Sequence, residues 1–196
     1  MENEEKILNP EQSLRIIRET IDVAKKGVQE NGFHFLLWGW LVVLACLAEY
    51  YLRQSDRGID PALVWMIMPV IGVPAALIYE WRKDKNRSGQ NIVREWYGMV
   101  WLGFGISLIL TIVLTVRTQV SPVPVILILA AFATFMSGIL LRFRALVFGA
   151  IVLWAGAAIC MALPIGQHTL VQAGATVLGY LVPGYMLSHK ARSRHV

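Results

Sequence analysis

Two residues of this 196-residue chain are the best candidates for chemistry, and both lie in apolar stretches. Glu49 has apolar neighbours on both sides, and Gln172 lies early in a later apolar stretch, from which it can face Glu49. An ionisable residue within a membrane segment is a functional candidate by default. Glu49 and Glu80, the latter beside Arg82, both lie near the end of an apolar stretch, so both are interpreted first as interfacial residues. The alternative is a proton or cation site at Glu49 and Gln172, for which Glu49 is the best candidate.

No pattern in the sequence predicts a catalytic, metal or nucleotide site. His34, His168, His189 and His195 lack another histidine, cysteine or acid at the spacing of metal ligands. Ser188 precedes His189 without an acid to orient the imidazole, and no glycine loop suits a phosphate. We therefore predict a non-enzymatic protein with no catalytic residue, cofactor or metal, and no nucleic-acid partner.

The composition predicts a membrane protein. Hydrophobic residues make up 56% of the chain and charged residues only 16%, with a mean hydropathy of +0.55, whereas soluble domains carry about 25% charged residues. The apolar residues form six blocks of about 20 residues, the length needed to cross a ~30 Å hydrocarbon core. Cys46 and Cys160 fall inside these blocks, so we interpret them as small buried hydrophobes. The expected fold class is an all-α integral membrane protein.

The expected organisation has three parts. A cytoplasmic amphipathic helix covers 1–32, a six-helix bundle covers 33–187, and a basic cytoplasmic tail covers 188–196. The predicted helices run over about 33–52, 61–81, 96–116, 122–141, 145–163 and 169–187. Only Arg142 and Arg144, with the residue between them, separate the fourth block from the fifth. A single helix through both would reach roughly 60 Å, twice the hydrocarbon thickness, so we predict a hairpin there.

The distribution of basic residues predicts the orientation of the helices. With both termini in the cytoplasm, 15 of the 18 lysines and arginines lie inside and 3 outside, as the positive-inside rule requires. The first 30 residues hold seven acids and no apolar core, which excludes a cleavable signal peptide. We expect a multi-pass protein whose two ends are cytoplasmic.

Two cytoplasmic features are candidates for docking. Leu14, Ile17 and Ile21 recur at helical spacing in the first segment, which predicts a helix on the membrane surface or against a soluble partner. The basic residues of the second and fourth loops would set the topology, contact anionic lipid heads, or bind an acidic partner. These residues are Arg82, Lys83, Lys85, Arg87, Arg142 and Arg144.

Small residues at four-residue spacing predict how the helices pack. One stripe is Gly103, Ser107, Thr111 and Thr115; the other is Ala130, Thr134 and Gly138. Small residues let membrane helices approach closely, so we predict that the third and fourth helices pack along these stripes. Prolines flank Gly72 in the second block, and Pro183 lies in the sixth. They indicate kinks, which either are ordinary features of membrane helices or expose backbone to a substrate.

Three short motifs carry a family resemblance. They are Leu37-Trp38-Gly39-Trp40, the stretch Phe135-x-x-Gly138-x-x-Leu141-Arg142-Phe143-Arg144, and Gly179-Tyr180-Leu181-Val182-Pro183-Gly184-Tyr185. The chain resembles a group of small uncharacterised multi-pass inner-membrane proteins of Bacteroidota. The resemblance implies a bacterial inner membrane and a similar helical bundle, and it implies no activity.

Two functional hypotheses follow from the sequence. The first is a non-enzymatic membrane protein that acts by association, either as a homo-oligomer or by holding a protein partner at the cytoplasmic face. The alternative is a small transporter or channel, built around the kinked second and sixth helices with Glu49 as the coupling group.

Overall fold

The computed structural model describes residues 32–55, 58, 60–84, 92–118 and 120–192. The predicted amphipathic helix, apart from Gly32, and the basic residues Lys85 and Arg87 lie outside these ranges. The described chain forms seven α-helices and one π-helical turn. They are α1 (Gly32–Gln54), α2 (Leu63–Asp84), α3 (Ile92–Thr118), α4 (Val123–Leu140), α5 (Arg144–Ala162), α6 (Ile165–Thr176), the π-turn (Val177–Leu181) and α7 (Val182–Arg192).

Six helical stretches in the described ranges are long and apolar enough to cross a membrane. Five are α1 to α5, and the last runs over Ile165–His189 and joins α6, the π-turn and α7; we call it the sixth span. The prediction of an all-α protein with six membrane-spanning helices is therefore confirmed. Each apolar block of the sequence coincides with one span, and α7 continues past 187 into the predicted tail.

Four spans form the centre of the bundle and two lie outside it. The helix α1 packs on the sixth span, which in turn packs on α5, and α4 and α5 form a hairpin. The helix α2 packs on α1, and α3 packs on α4. In the most apolar stretch of α2 and of α3 only 6% of the residues are buried, against 33% to 56% in the other four spans. The exposed faces carry large apolar side chains, such as Val70 and Leu102, as expected for surfaces that contact lipid tails.

Successive spans run in opposite directions, so the bundle has two distinct ends. One end holds Gln54 and the start of α2, and we call it the Gln54 end. The other holds Gly32 and the turn between α4 and α5, and we call it the Gly32 end. A Cβ added at Gly32 would lie 2.9 Å from the Gly184 carbonyl oxygen, so α1 begins in close contact with α7.

The turn between α4 and α5 spans Leu141, Arg142 and Phe143. Phe143 N–H donates to the Gly138 carbonyl at 2.9 Å, and Arg142 N–H donates to the Ile139 carbonyl at 3.1 Å. These two bonds form a Schellman motif, which requires a left-handed residue after the helix. Arg142 takes that conformation with φ 50°. The arginine side chain is exposed, so the tight hairpin places its charge outside the bundle.

The strain at Arg142 gives a testable prediction. A left-handed backbone costs a residue with a Cβ about 1–2 kcal/mol, and the greater freedom of glycine in the unfolded chain offsets about 0.5–1 kcal/mol of that. Arg142→Gly should therefore raise the free energy of unfolding in detergent by about 0.5–1 kcal/mol. Arg144→Gly removes the same charge within α5 and should lower the free energy of unfolding, because glycine weakens a helix. A destabilised Arg142→Gly would contradict this reading of the turn.

The π-turn in the sixth span follows from Pro183. Proline has no N–H, so the carbonyl of Gly179, four residues earlier, lacks its usual hydrogen-bond donor in the helix. Val182 N–H instead donates to the Val177 carbonyl, five residues back. The freed Gly179 backbone lies directly against α5, because a Cβ on Gly179 would be 2.8 Å from the Gly149 carbonyl oxygen. The predicted kink is thus a π-turn stabilised by contact between two glycines.

The third and fourth predicted helices are neighbours, since α3 packs on α4, but the glycines of the two stripes face elsewhere. A Cβ on Gly138 would lie 2.8 Å from Val147 of α5, because the short hairpin places α5 rather than α3 beside it. Gly103 is exposed, and a Cβ there would meet nothing within 4 Å. Ser107, Thr111 and Thr115 donate to carbonyls of their own helix four residues back, at 2.7–2.8 Å. Ala130 and Thr134 are buried in the core.

Candidate functional site

The carboxylate of Glu49 lies where three spans meet near the Gln54 end. Only 7% of this residue is exposed. Arg53, one turn further along α1, donates from Nη2 and Nε to Glu49 Oε1 at 2.6 and 2.9 Å. Trp65, in the first turn of α2, donates from Nε1 to Oε2 at 2.7 Å. Thr169 of α6 donates from Oγ1 to the same oxygen at 3.4 Å. We call these four residues the Glu49 centre.

The Glu49 centre balances the cost of burying a charge. A buried carboxylate requires a counter-charge and hydrogen bonds to each oxygen, and Arg53 and Trp65 supply them. The Arg53 side chain is 54% exposed, so one partner of the ion pair is buried and the other reaches solvent or lipid headgroups. The ion pair therefore joins the buried carboxylate to the exposed surface at the Gln54 end.

The sixth span presents a buried polar face toward the interior. His168, Thr169, Gln172 and Thr176 are all buried. Their spacing of three or four residues, with Thr169 beside His168, places them on one side of α6. This helix packs on α1, α5 and α4, so the polar face lies inside the bundle. Polar side chains that cross the membrane interior are unusual, and they mark candidate pathways for ions or protons.

Two polar atoms on this face have no partner. Gln172, which is 3% exposed, has an unpaired Oε1, and His168, which is 7% exposed, has an unpaired Nδ1. His168 Nε2 lies 3.0 Å from the Leu163 carbonyl. A carbonyl only accepts, so Nε2 carries a proton and donates it to Leu163. A buried polar atom without a partner costs about 1–3 kcal/mol, and a bound donor or cation would remove that cost.

The structure brings together more residues than the sequence predicted. Glu49 contacts Thr169, one turn before Gln172 on the same helix face, and no hydrogen bond joins Glu49 to Gln172 in the described part of the chain. Sequence reasoning missed Arg53, Trp65 and Thr169. Arg53 could have been found from its four-residue spacing to Glu49, whereas the Trp65 contact depends on how α2 docks.

The second membrane acid occupies a different environment. Glu80 Oε1 lies 2.8 Å from His34 Nε2 at the Gly32 end, and the Glu80 side chain is 34% exposed. Beside this pair, the rings of Phe33 and Tyr79 stack with centroids 3.9 Å apart. The helix α2 is thus attached to α1 by a carboxylate near each end. Because Glu80 is partly exposed and distant from the polar face of α6, it is a natural control for Glu49.

Of the remaining predicted residues, Cys46 lies close to Glu49, three residues before it on α1, whereas the exposed arginines lie apart from the Glu49 centre. Arg82, Arg142 and Arg144 are exposed; the side chain of Lys83 lies outside the described part. Cys46 and Cys160 are buried and unpaired. Among the described residues, no group of three or more histidines, cysteines and acids could hold a metal ion.

Fold and site together define the chain as a multi-pass helical membrane protein with a buried carboxylate at the junction of three spans. It matches no protein-family model, and no curated protein or solved structure shows a significant similarity to it. The function must therefore be argued from the geometry of the chain itself.

Proposed function

We propose that this protein is a small transporter or channel in which Glu49 binds a proton or a small cation. The observation that supports this proposal is the position of the buried carboxylate, next to a polar helix face with two unpaired polar atoms. A buried pair that only held helices together would not require unpaired polar atoms on the helix face that carries Thr169. Transporters commonly combine such groups with an interrupted helix, and the sixth span contains a π-turn.

The proposed mechanism uses Arg53 as an internal cation. In the unloaded state its guanidinium neutralises Glu49. A proton or cation that enters from the Gln54 end takes the place of the guanidinium on Oε1, and Arg53 moves into the headgroup region that it already reaches. Trp65 and Thr169 continue to hold Oε2, so the carboxylate keeps its orientation during the exchange. No covalent step is involved, and the protein is proposed to be non-enzymatic.

The proposed setting is the inner membrane of a bacterium, with the Gly32 end in the cytoplasm. The 15-to-3 distribution of basic residues supports this orientation, and the resemblance to inner-membrane proteins of Bacteroidota supports the compartment. The Glu49 centre would then take its cation from the outer side.

Flux measurements on proteoliposomes test the proposed function. Wild-type protein, Glu49→Gln and Glu80→Gln are compared under a pH gradient, a sodium gradient and a potassium gradient. We expect wild type and Glu80→Gln to carry at least one of these ions. Loss of a charged hydrogen-bonding group weakens binding by about tenfold or more. Ion flux through Glu49→Gln should therefore be slower than wild-type flux by at least that factor. A wild type with no flux in any of the three gradients contradicts the proposal.

A second candidate function is association with further copies of the chain. It is favoured by α2 and α3, whose most apolar stretches are only 6% buried. On α3 a Cβ added at the exposed Gly103 would meet no atom within 4 Å, which leaves room for another helix to approach closely. We propose a homo-oligomer through the face of α3 that carries Gly103. Docking of a protein partner at the cytoplasmic face rests on the basic loops and the amphipathic segment of the sequence.

Substitution of Gly103 tests association directly. Because a side chain at this position meets nothing within the chain, Gly103→Leu should leave the fold intact and disrupt only contacts between copies. We expect a lower particle mass than wild type in lipid nanodiscs. Gly174→Leu is the matched control, since this glycine of the sixth span also faces open space. If wild type is monomeric, or if Gly103→Leu has the same mass as an oligomeric wild type, association through this face is excluded.

A further inference from the structure

The buried polar face of the sixth span continues beyond the Glu49 centre. From Thr169 and Gln172 it passes to Thr176 and then to Tyr180, and all four residues are buried. Each step is three or four residues along the same helix, so the side chains follow one line from the Gln54 end toward the Gly32 end. The glutamine amide and three hydroxyl groups thus lie along the interior of a membrane bundle.

Tyr180 connects this line to α4. Its hydroxyl lies near that of Thr134, which is fully buried. Thr134 donates its own proton to the Ala130 carbonyl at 2.7 Å, so its oxygen can accept from a neighbouring hydroxyl. Nearby, the Trp101 ring lies 6.4 Å from that of Tyr180.

The π-turn lies at the same point. Tyr180 is one of its five residues, Val177–Leu181, and Pro183 prevents the turn from reverting to a regular α-helix with a full set of bonds. Single π-helical turns inside α-helices are frequent at functional sites. Contact between the backbones of Gly149 and Gly179 holds the irregular turn against α5. Backbone irregularity and buried hydroxyls thus coincide inside the bundle.

We propose that Thr176 and Tyr180 form the route by which a proton or small cation passes between the Glu49 centre and the Gly32 end. This inference rests on the proposed function and adds the path to it. Hydroxyl oxygens replace water around a small cation, or pass a proton along a hydrogen-bonded chain. Thr134 orients the Tyr180 hydroxyl, and is therefore a positioning residue.

The test compares variants that remove one hydroxyl group each. Thr176→Val and Tyr180→Phe preserve side-chain volume, and Thr176→Ser restores a hydroxyl. Thr111→Val is the matched control, because Thr111 is a buried threonine that donates to its own helix on α3. Each variant is reconstituted in liposomes and assayed under a pH gradient, a sodium gradient and a potassium gradient. The thermal unfolding of each is also measured in detergent, with and without sodium or potassium chloride and at several pH values.

We expect Thr176→Val and Tyr180→Phe to reduce flux by about tenfold, the effect of an unmet buried hydrogen bond. Their stabilisation by the transported ion should remain that of wild type, because the Glu49 centre is intact. Thr176→Ser should recover most of the flux that Thr176→Val loses, and Thr111→Val should transport at the wild-type rate. If Thr176→Val and Tyr180→Phe also match wild type while Glu49→Gln does not, the route is wrong and the proposed function stands. If wild type shows no flux, both are overturned.

Discussion

Gly149→Val should lower the free energy of unfolding by about 3 kcal/mol or more, the largest effect that we expect from a single substitution in this chain. A side chain at Gly149 would meet the carbonyl group of Gly179 and, at 3.0 Å, the Pro183 ring. Neither neighbour can yield by changing a rotamer, since one is backbone and the other is a fixed ring. The sixth span would have to move away from α5, and the core on both sides of it would open.

Gly174→Val is the control for this prediction. Gly174 lies in α6, in the sixth span on the other side of this contact, but a Cβ there would meet nothing within 4 Å, so the substitution tests valine at a helical glycine without a collision. Thermal unfolding in detergent and the yield of monodisperse protein would measure both variants. If Gly149→Val were as stable as Gly174→Val, the close contact between α5 and the π-turn would be contradicted.

Arg53→Met should lower stability in the absence of a cation and make it depend on cation concentration. The substitution preserves an apolar stem and removes the charge that neutralises Glu49. Complete loss of a buried ion partner costs about 3–5 kcal/mol; because Arg53 is 54% exposed, a loss of about 2 kcal/mol is expected. A cation at about 100 times its Kd stabilises the folded state by about 2.7 kcal/mol, which is enough to offset that loss.

The measurement is thermal unfolding of wild type and Arg53→Met across titrations with sodium chloride, potassium chloride and acid. If Arg53 competes with the cation for Glu49, the variant should be stabilised at lower cation concentration than wild type. The double variant with Glu49→Gln supplies the control, because it lacks both charges and should respond to none of the titrations. If neither a cation nor acid restores the stability that Arg53→Met loses, Arg53 has only a structural role.

The number and approximate positions of the spans could be predicted from the sequence because each apolar block has the length of one membrane crossing. The hairpin at Arg142 followed from the same constraint of length. The structure adds its local cause, a Schellman turn with Arg142 in a left-handed conformation. Pro183 predicted an irregularity in the sixth span. The contact of the π-turn with Gly149 could not be predicted, because it depends on which helix packs beside the sixth span.

The pairing of α3 with α4 followed from the short loop between them, but the neighbour that each small residue faces could not be predicted from spacing. Gly138 and Gly103 belong to similar stripes, yet Gly138 faces α5 and Gly103 faces open space. Small residues permit close approach without choosing a neighbour. The same applies to the candidate site. Glu49 stood out as an acid among apolar residues, whereas Trp65 reaches it only because α2 packs antiparallel on α1.

Calorimetric titration of the purified full chain with sodium chloride, potassium chloride and acid, in separate runs, tests most directly whether Glu49 is a cation or proton site. We expect wild type and Glu80→Gln to show the same saturable binding in at least one titration, and Glu49→Gln to lack it. Identical curves for wild type and Glu49→Gln in all three titrations would contradict the central claim and leave Glu49 as a structural link between α1, α2 and α6.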